Sequence, residues 1–314
     1  MGLTMSKPYD TIIIGAGIAG ATTAYMLTQK GQNVLVLDKK GIASGGSGAA
    51  GAFVSPKIGK GSALQKLTNE AFCFAKDFYL SICPEYFHQT GVIRIPKDEA
   101  DAQKFAEYAD YNTNIYEKYS SSKLKTLAID TGFDSFFFPE AGDCDAKEVC
   151  QFLLKDIEVM ILDVTEVVHE SDYWHILGRG VLSPTHKAKN IVLATGYQSD
   201  LLDLRYMGIR GTWGTRGDFS SGLDLGVSMH QAMSVGANIK GIIKLGATHE
   251  KEVKDILPCK EEQALFLKEK ASALIDVSDL EIKGKFLWDE GRFKRLLSFG
   301  REGDRYTTDV REVS

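Results

Sequence analysis

The sequence predicts an α/β fold with more than one domain, and three observations carry that expectation. A short β-branched strand near the start runs into a glycine turn and then into a helix-favouring stretch. A second apolar strand follows and ends in an acid. The chain has 314 residues, more than one compact core usually absorbs, so two domains or one domain with a large insertion are expected.

The opening unit is the sharpest signal. Tyr9 to Ile14 has the outline of a buried strand and leads directly into Gly15-Ala16-Gly17-Ile18-Ala19-Gly20, followed by Ala21 to Lys30. The three glycines serve different ends. Gly15 permits the tight turn, Gly17 lets a diphosphate approach the backbone, and Gly20 lets the helix pack closely on the sheet. The phosphates then rest on the free N–H groups of the helix N-terminus. Asn33 to Leu37 forms the second strand. Asp38 stands eighteen residues past Gly20, where a carboxylate accepts ribose hydroxyls, with Lys39 beside it. An acid there sets NADP aside, while FAD and NAD both stay open. The motif spacing also argues against reading Lys7 and the small-residue stretch Ile12 to Ala24 as a secretion leader, and no apolar run reaches the ~18 residues of a membrane span.

The next segment discriminates between the two cofactors. Ala43 to Gly51 is a second run of small residues, suited to lying against a bulky planar ligand or its phosphates, with Ser44, Ser47, Gly48, Gly51 and the following Ala52 as the candidate contacts. The alternative is a flexible surface loop, but Ala52-Phe53-Val54 follows at once in place of polar linker. Far downstream, Lys189 to Gly196 reads as another buried strand ending in small residues, Ala194-Thr195-Gly196. Before it, Glu158 to Val168 reads as a strand and Tyr173 to Leu177 as its hairpin neighbour.

Composition narrows the function classes. Hydrophobic residues are 44% and charged residues 25%, so a real core is available, and a net charge of -5 provides no global basic field for nucleic acid or an anionic membrane. Any RNA contact is then a local patch. Cys73, Cys83, Cys144, Cys150 and Cys259 form no CxxC pair or zinc-ligand cluster, and their odd number points to reduced thiols in a cytoplasm. His88, His175, His186, His230 and His249 show no metal or nucleophile-relay spacing, although His249 is a candidate to face a bound ring. The charge runs Lys251 to Lys260 and Lys268 to Lys270 read as solvated helix faces, and Phe136 to Phe138 as core.

Together these residues resemble the FAD-dependent amine oxidase superfamily, which includes D-amino acid oxidase, glycine oxidase and sarcosine oxidase. The resemblance runs from about Tyr9 to about Lys285, with its more specific pieces at Ser47 to Phe53, Asn69 to Tyr79, Thr90-Gly91-Val92, Leu245 to His249 and Asp276 to Asp279. Those pieces are most similar to the oxidoreductase domain of the MnmC type, which modifies tRNA wobble uridine. The resemblance implies a FAD-binding Rossmann-like domain, residues 6–84 and 139–206, interleaved with an α+β antiparallel-sheet substrate domain, residues 85–138 and 207–286. Helices at Ala63 to Tyr79 and Ala100 to Tyr119 and strands at Ile209 to Ser220 and Ile239 to Gly246 agree with it. It also implies that Val164 touches the adenine and that the Ala-Thr-Gly strand lies beside the first phosphate loop. The chemistry implied is removal of a hydride from a carbon bearing an amine. For the MnmC type the substrate is carboxymethylaminomethyl-uridine in tRNA, cleaved to aminomethyl-uridine and glyoxylate. A free glycine, sarcosine or D-amino acid is the alternative substrate, and a truncated, non-catalytic flavin-binding chain is the alternative of another class.

A carboxylate-bearing substrate calls for an arginine with bidentate geometry. In the family that arginine sits in a late Gly-x-Arg-x-x-Ser/Thr-x-Asp-x-x-Pro-x-x-Gly motif, and Leu287 to Ser298 does not contain it. Residues 287–314 are therefore expected to be an aberrant tail. Arg292 is a candidate stand-in, and Arg210 and Arg216 are either surface charges or phosphate contacts to tRNA. Codons allowed for Leu287 onward, read one nucleotide later, permit the missing motif. Sequencing the gene across codons 287–314 tests this: the shifted frame is expected to encode Gly-Met-Arg-x-x-Ser-Ser-Asp-Tyr-Phe-Pro, and codons that cannot do so dispose of the idea.

Overall fold

A computed structural model describes residues 7–179, 186–197, 201–204, 206, 209–248, 261–283 and 293–301, with 209–213 and 293–301 described by backbone alone. The chain divides into two compact units. One is Met1–Gly48, Ala146–Arg210 and Arg301–Thr307, and the other is Ala49–Asp145, Gly211–Gly300 and Thr308–Ser314. These divisions fall elsewhere than the expected domain bounds: 49–84 and 139–145 cluster with the second unit.

The first unit is built on a six-stranded sheet in the order Val164–Glu170, Tyr173–Gly178, His186–Leu193, Tyr9–Ile14, Val34–Asp38, Glu158–Ile161. The last four strands pair in parallel, as expected of runs such as Ile12-Ile13-Ile14 and Val34 to Leu37 that are apolar on both faces. Ile12, Ile14, Leu35, Leu37 and Ile176 form the core of one face. The helices Ile18–Gln29 and Ala146–Leu154 pack on each other, the second burying Val149, Cys150, Leu153 and Leu154 at helical spacing. The expected single strand from Glu158 to Val168 is two strands, one beside Val34–Asp38 and the other pairing antiparallel with Tyr173–Gly178. The break comes at Leu162, whose buried side chain and N–H bond to the Asp38 carbonyl, 2.9 Å, turn the chain out of the first strand.

The second unit carries a nine-stranded sheet, and along its main path the pairs are antiparallel except that Ser228–His230 runs parallel to Val92–Arg94. Its path is Glu281–Ile282, Ile209–Ser220, Ile242–Gly246, Ser234–Val235, Ser228–His230, Val92–Arg94, Ser135–Phe138, Glu117–Tyr119. Part of the expected aberrant tail, Phe293–Arg301, is a strand that pairs with Ile209–Ser220. A small sheet joins Phe53–Val54, Gly142–Cys144 and Phe87–His88. Ile93, Met229, Val235, Ile243, Leu245 and Phe219 alternate onto one face of the large sheet and are buried with Ala264, Leu267 and Ala271 of the Glu261–Ala271 helix. The expected core role of Phe136 and Phe138 holds, at 4% and 1% exposure.

The expected long helix from Ala100 to Tyr119 is instead Glu99–Tyr108, capped by the Asp98 carboxylate on the Asp101 N–H at 2.8 Å, and Glu117–Tyr119 is a strand. Asn112-Thr113-Asn114 explains the stop, since these side chains compete for backbone hydrogen bonds and favour turns over helix interiors. Among the described residues no helix is long and apolar enough to cross a membrane.

Four of the five cysteines are described, all as free thiols. Burial pushes the Cys83 thiol up to about 11 and the Cys150 thiol up to about 12, and raises that of Cys144, while Cys73 is exposed. In a C259S background an aromatic disulfide reagent at neutral pH is expected to label Cys73 alone in the native protein, and the other three only after unfolding, because a buried protonated thiol is a poor nucleophile. Native-state labelling of Cys150 refutes this packing.

Candidate functional site

The glycine turn of the first unit is shaped by main-chain contact. Gly15 has φ +113°, and its N–H donates to the Leu37 carbonyl at 2.7 Å. A Cβ at Gly15 would stand 2.2 Å from the Ala194 carbonyl oxygen, and one at Gly20 would stand 1.9 Å from the Gly15 carbonyl oxygen. No residue but glycine fits either position without moving backbone. The Ala194 N–H in turn donates to the Ile14 carbonyl at 2.8 Å, so Ala194, Thr195 and Gly196, the last at φ +71°, follow their strand directly alongside the turn.

Gly17 is the N-cap of the Ile18–Gln29 helix and offers no side chain to the first-turn N–H groups. Ser47 takes one of them, its Oγ accepting from the Ile18 N–H at 2.9 Å, and a Cβ at Gly17 would lie 3.0 Å from that oxygen. Ala19 is exposed in the same first turn. Gly48 lies against the Ala43 backbone, with a Cβ there only 2.1 Å from the Ala43 carbonyl oxygen. The arrangement suits a diphosphate: bare backbone, a helix dipole and a hydroxyl converge.

Asp38 is placed at the end of its strand, as expected, and also organises the loop. Its Oδ2 accepts from the Ala16 N–H at 2.9 Å, and its Oδ1 accepts from the N–H groups of Lys40 and Gly41 at 2.8 and 2.9 Å and from the Ser44 hydroxyl at 3.4 Å. A carboxylate has about four acceptor positions, so Oδ2 retains capacity for a sugar hydroxyl. Lys39 is exposed next to it. Val164 starts its strand opposite Gly178 and packs on the apolar core. The structure thus brings residues 15–20, 38, 44, 47, 48 and 194–196 into one loop cluster. Gly51 and Ala52 belong to the second unit, Ala52 at φ +52°.

In the second unit, the face of the large sheet opposite the apolar core is polar. Cross-strand register aligns Arg94, His230, Ser234, Gly246 and Arg216 in one row, with Lys244 opposite Asp218 in the next. These residues line a pocket together with Ala49 to Phe53 and Ser55, Asp218 excepted. Arg94 and Arg216 are 6% and 7% exposed. A buried guanidinium is costly unless paired. Asp218 pairs Arg216 at 2.7 and 2.9 Å, which corrects the expectation of a surface charge or phosphate contact. The side chain of Arg210, and Arg292 and His249 altogether, lie outside the described residues.

Sequence reasoning missed Arg94 and a charged cluster joined to the pocket residue Lys244. Asp145 bridges His88 Nε2 and Lys244 Nζ, each at 3.0 Å, and the His88 hydrogen bond followed by Lys244 holds its carboxyl well below the usual carboxylate range. Asp143, 2% exposed, has an Oδ1 without a hydrogen-bond partner, and burial raises its carboxyl. The available signal for Arg94 was a single charge between Ile93 and Ile95 in an otherwise apolar run. Of the remaining histidines, His230 Nδ1 meets Ser234 Oγ at 2.9 Å, and burial lowers His186.

The chain is 38% identical over 100 residues to a tRNA 5-methylaminomethyl-2-thiouridine biosynthesis bifunctional protein MnmC from Maricaulis maris, a match covering 32% of this chain and 17% of that protein. It is 26% identical over 203 residues to the protein of that name from Marinobacter nauticus, covering 61% of this chain and 31% of the relative. The chain thus spans under a third of these relatives. Among solved structures, glycine oxidase from Geobacillus kaustophilus superposes with a TM-score of 0.80 at 15% identity, covering 95% of this chain and 84% of that one. Iminodiacetate oxidase from Chelativorans sp. BNC1 gives a TM-score of 0.74 at 14% identity, covering 93% and 84%. These show the α/β fold expected from the sequence. The family model described as DAO, FAD dependent oxidoreductase, matches residues 10–282, the stretch that contains both the bare-backbone turn and the polar sheet face; the chain belongs to that family, and its cofactor is FAD.

Proposed function

We propose that this chain oxidises the C–N bond of a glycine-like secondary amine, and that the amine is the carboxymethylaminomethyl group of a tRNA wobble uridine. The observation that carries the reading is the polar row of the second unit, where the buried Arg94 lines a pocket bordered by Gly51 and Ala52. A planar guanidinium on a rigid strand is the side chain best suited to orient a carboxylate by two parallel hydrogen bonds. The MnmC names of the relatives support tRNA as the carrier of the amine.

In this reading the cofactor is held by Gly15, Ala16, Gly17, Ile18, Ala19 and Gly20 at the diphosphate and by Asp38 and Lys39 at the ribose. Ser44, Ser47, Gly48, Gly51 and Ala52 supply the small-residue run, and Val164, Ala194, Thr195 and Gly196 the remaining contacts. Bound FAD supplies a hydride acceptor, which the protein orients. Arg94 holds the substrate carboxylate, so that the adjacent C–H is presented in one direction. An amine that binds neutral needs no protein base. The balance is one secondary amine, water and dioxygen giving a primary amine, glyoxylate and hydrogen peroxide.

Anaerobic mixing of the FAD-loaded chain with carboxymethylaminomethyl-uridine tRNA tests the proposal. Bleaching of the flavin band and release of glyoxylate are expected, with free glycine, sarcosine and D-amino acids reacting at least tenfold more slowly. Faster reaction of the free amino acids replaces the tRNA reading with a small-molecule oxidase, and a chain that binds FAD but bleaches with neither is the non-catalytic alternative. R94M is expected to lose a charge-assisted pair of about 1.5–3 kcal/mol, a rise in KM of roughly ten- to a hundredfold for carboxylate-bearing amines. A KM unchanged in R94M removes Arg94 from the substrate. Gly20→Val is expected to abolish FAD binding, measured by flavin retention after gel filtration, because its side chain has no room beside the Gly15 carbonyl.

A further inference from the structure

Arg216 sits in the Ile209–Ser220 strand with three guanidinium nitrogens engaged. Nε and Nη2 donate to Asp218 Oδ1 and Oδ2 at 2.7 and 2.9 Å, a fork-to-fork pair, and Nη1 donates to the Ala50 carbonyl. The register places Arg216 opposite Gly246, and a Cβ on Gly246 would lie 3.5 Å from Arg216 Cγ, so the side chain passes over a strand position with no side chain of its own. The other end of this link is the Ala49 to Ala52 segment. Ala49, Ala50 and Ala52 are buried at 2%, 7% and 4% exposure. They carry only methyl groups, too little surface to lock a backbone path by side-chain packing. Ala52 additionally holds φ +52°, a conformation that its surroundings must impose.

A buried ion pair is a poor source of stability, since apolar residues of similar volume often do as well or better. In some proteins such a pair defines geometry instead, and here the geometry it touches is the path of a segment without side-chain anchors. We propose that Arg216, oriented by Asp218, is a positioning residue that fixes the Ala50 carbonyl and so presets the main chain of Gly51 and Ala52 for the flavin. This inference rests on the reading above that Gly51 and Ala52 contact the cofactor. Lysine is not an equivalent, because one ammonium on a flexible stem does not reproduce the planar fork together with a third directed donor.

The test uses R216K, R216M, R216A and D218N in the full chain, with three readouts: thermal melting of the apoprotein to check folding, amide hydrogen exchange of peptides spanning 49–55 in the apoprotein, and FAD affinity by fluorescence titration. R216K and R216M are expected to raise exchange at 49–52 and to weaken FAD binding by about tenfold or more, with D218N shifting both in the same direction by a smaller factor. In R216A, millimolar guanidinium is expected to recover much of the FAD affinity, a rescue that a general loss of packing does not give. If R216M fails to fold, R216K and D218N decide. Wild-type exchange at 49–52 in R216K and D218N overturns the clamp, whatever their FAD affinity. Raised exchange with wild-type FAD affinity retains the clamp and overturns its link to the cofactor, which places the failure in the reading of Gly51 and Ala52.

Discussion

Main chain must touch main chain around Gly15, and the first unit is arranged to allow it. The Ala194 carbonyl and the Gly15 carbonyl occupy the places where side chains of residues 15 and 20 would begin, at 2.2 and 1.9 Å. The strand from His186 can therefore run parallel to the strand from Tyr9 along its length, and the helix after Gly17 can start at the sheet edge. With Gly17 bare as well, the helix N-terminus faces outward with N–H donors and almost no side-chain bulk, the condition for receiving a diphosphate. Asp38 completes the arrangement, because its two oxygens gather the N–H groups of Ala16, Lys40 and Gly41 that would otherwise let the turn drift.

The second unit meets a different constraint. Its large sheet is covered on one face by an apolar cluster and carries the polar row on the other, where Arg94 and Arg216 are buried and so need partners inside the protein. Two of the pairs are visible in full: Arg216 with Asp218, and Lys244 with Asp145, which His88 also contacts. Such fixed dipoles and charges are oriented before any ligand arrives, and a pocket built this way selects by charge and direction more than by apolar area. Both buried arginines also reach a loop carbonyl, Arg216 that of Ala50 and Arg94 that of Pro56 at 3.4 Å. Arg216 is a brace between strand and loop, and Arg94, two strands' width from Ser234 in the same row, is the one assigned here to substrate.

Where local chemistry dictated structure, it was legible. The strand, glycine turn, helix and terminal acid of residues 9–38 carry their own period, breakers and spacing, and each stands where the sequence placed it. The hairpin through Tyr173 and the helix from Ala63, capped by the Ser62 Oγ on the Gln65 N–H, were equally local. The errors share a cause. Glu158 to Val168 looks continuous because both halves are β-branched and apolar, yet Leu162 is drawn into the core and the chain turns there. The helix ending at Tyr108 was overextended because its polar pattern continues smoothly into Asn112, whose preference for turns is a weak signal against charged neighbours.

By itself the sequence determined that a nucleotide-binding α/β unit opens this chain, because strand, glycine turn, helix and terminal acid follow one another in one continuous stretch; the steric demand at Gly20 is equally local, set by the Gly15 carbonyl, whereas that at Gly15 comes from Ala194 on a strand distant in sequence. Only the tertiary structure decided what Arg94, Arg216, Lys244, Asp143 and Asp145 do. A charge in a strand is ordinarily solvated, and whether it is buried depends on register between segments as distant as those of Arg94 and His230 and on which face of a sheet is covered. That information resides in the pairing of strands, which no single stretch of residues carries.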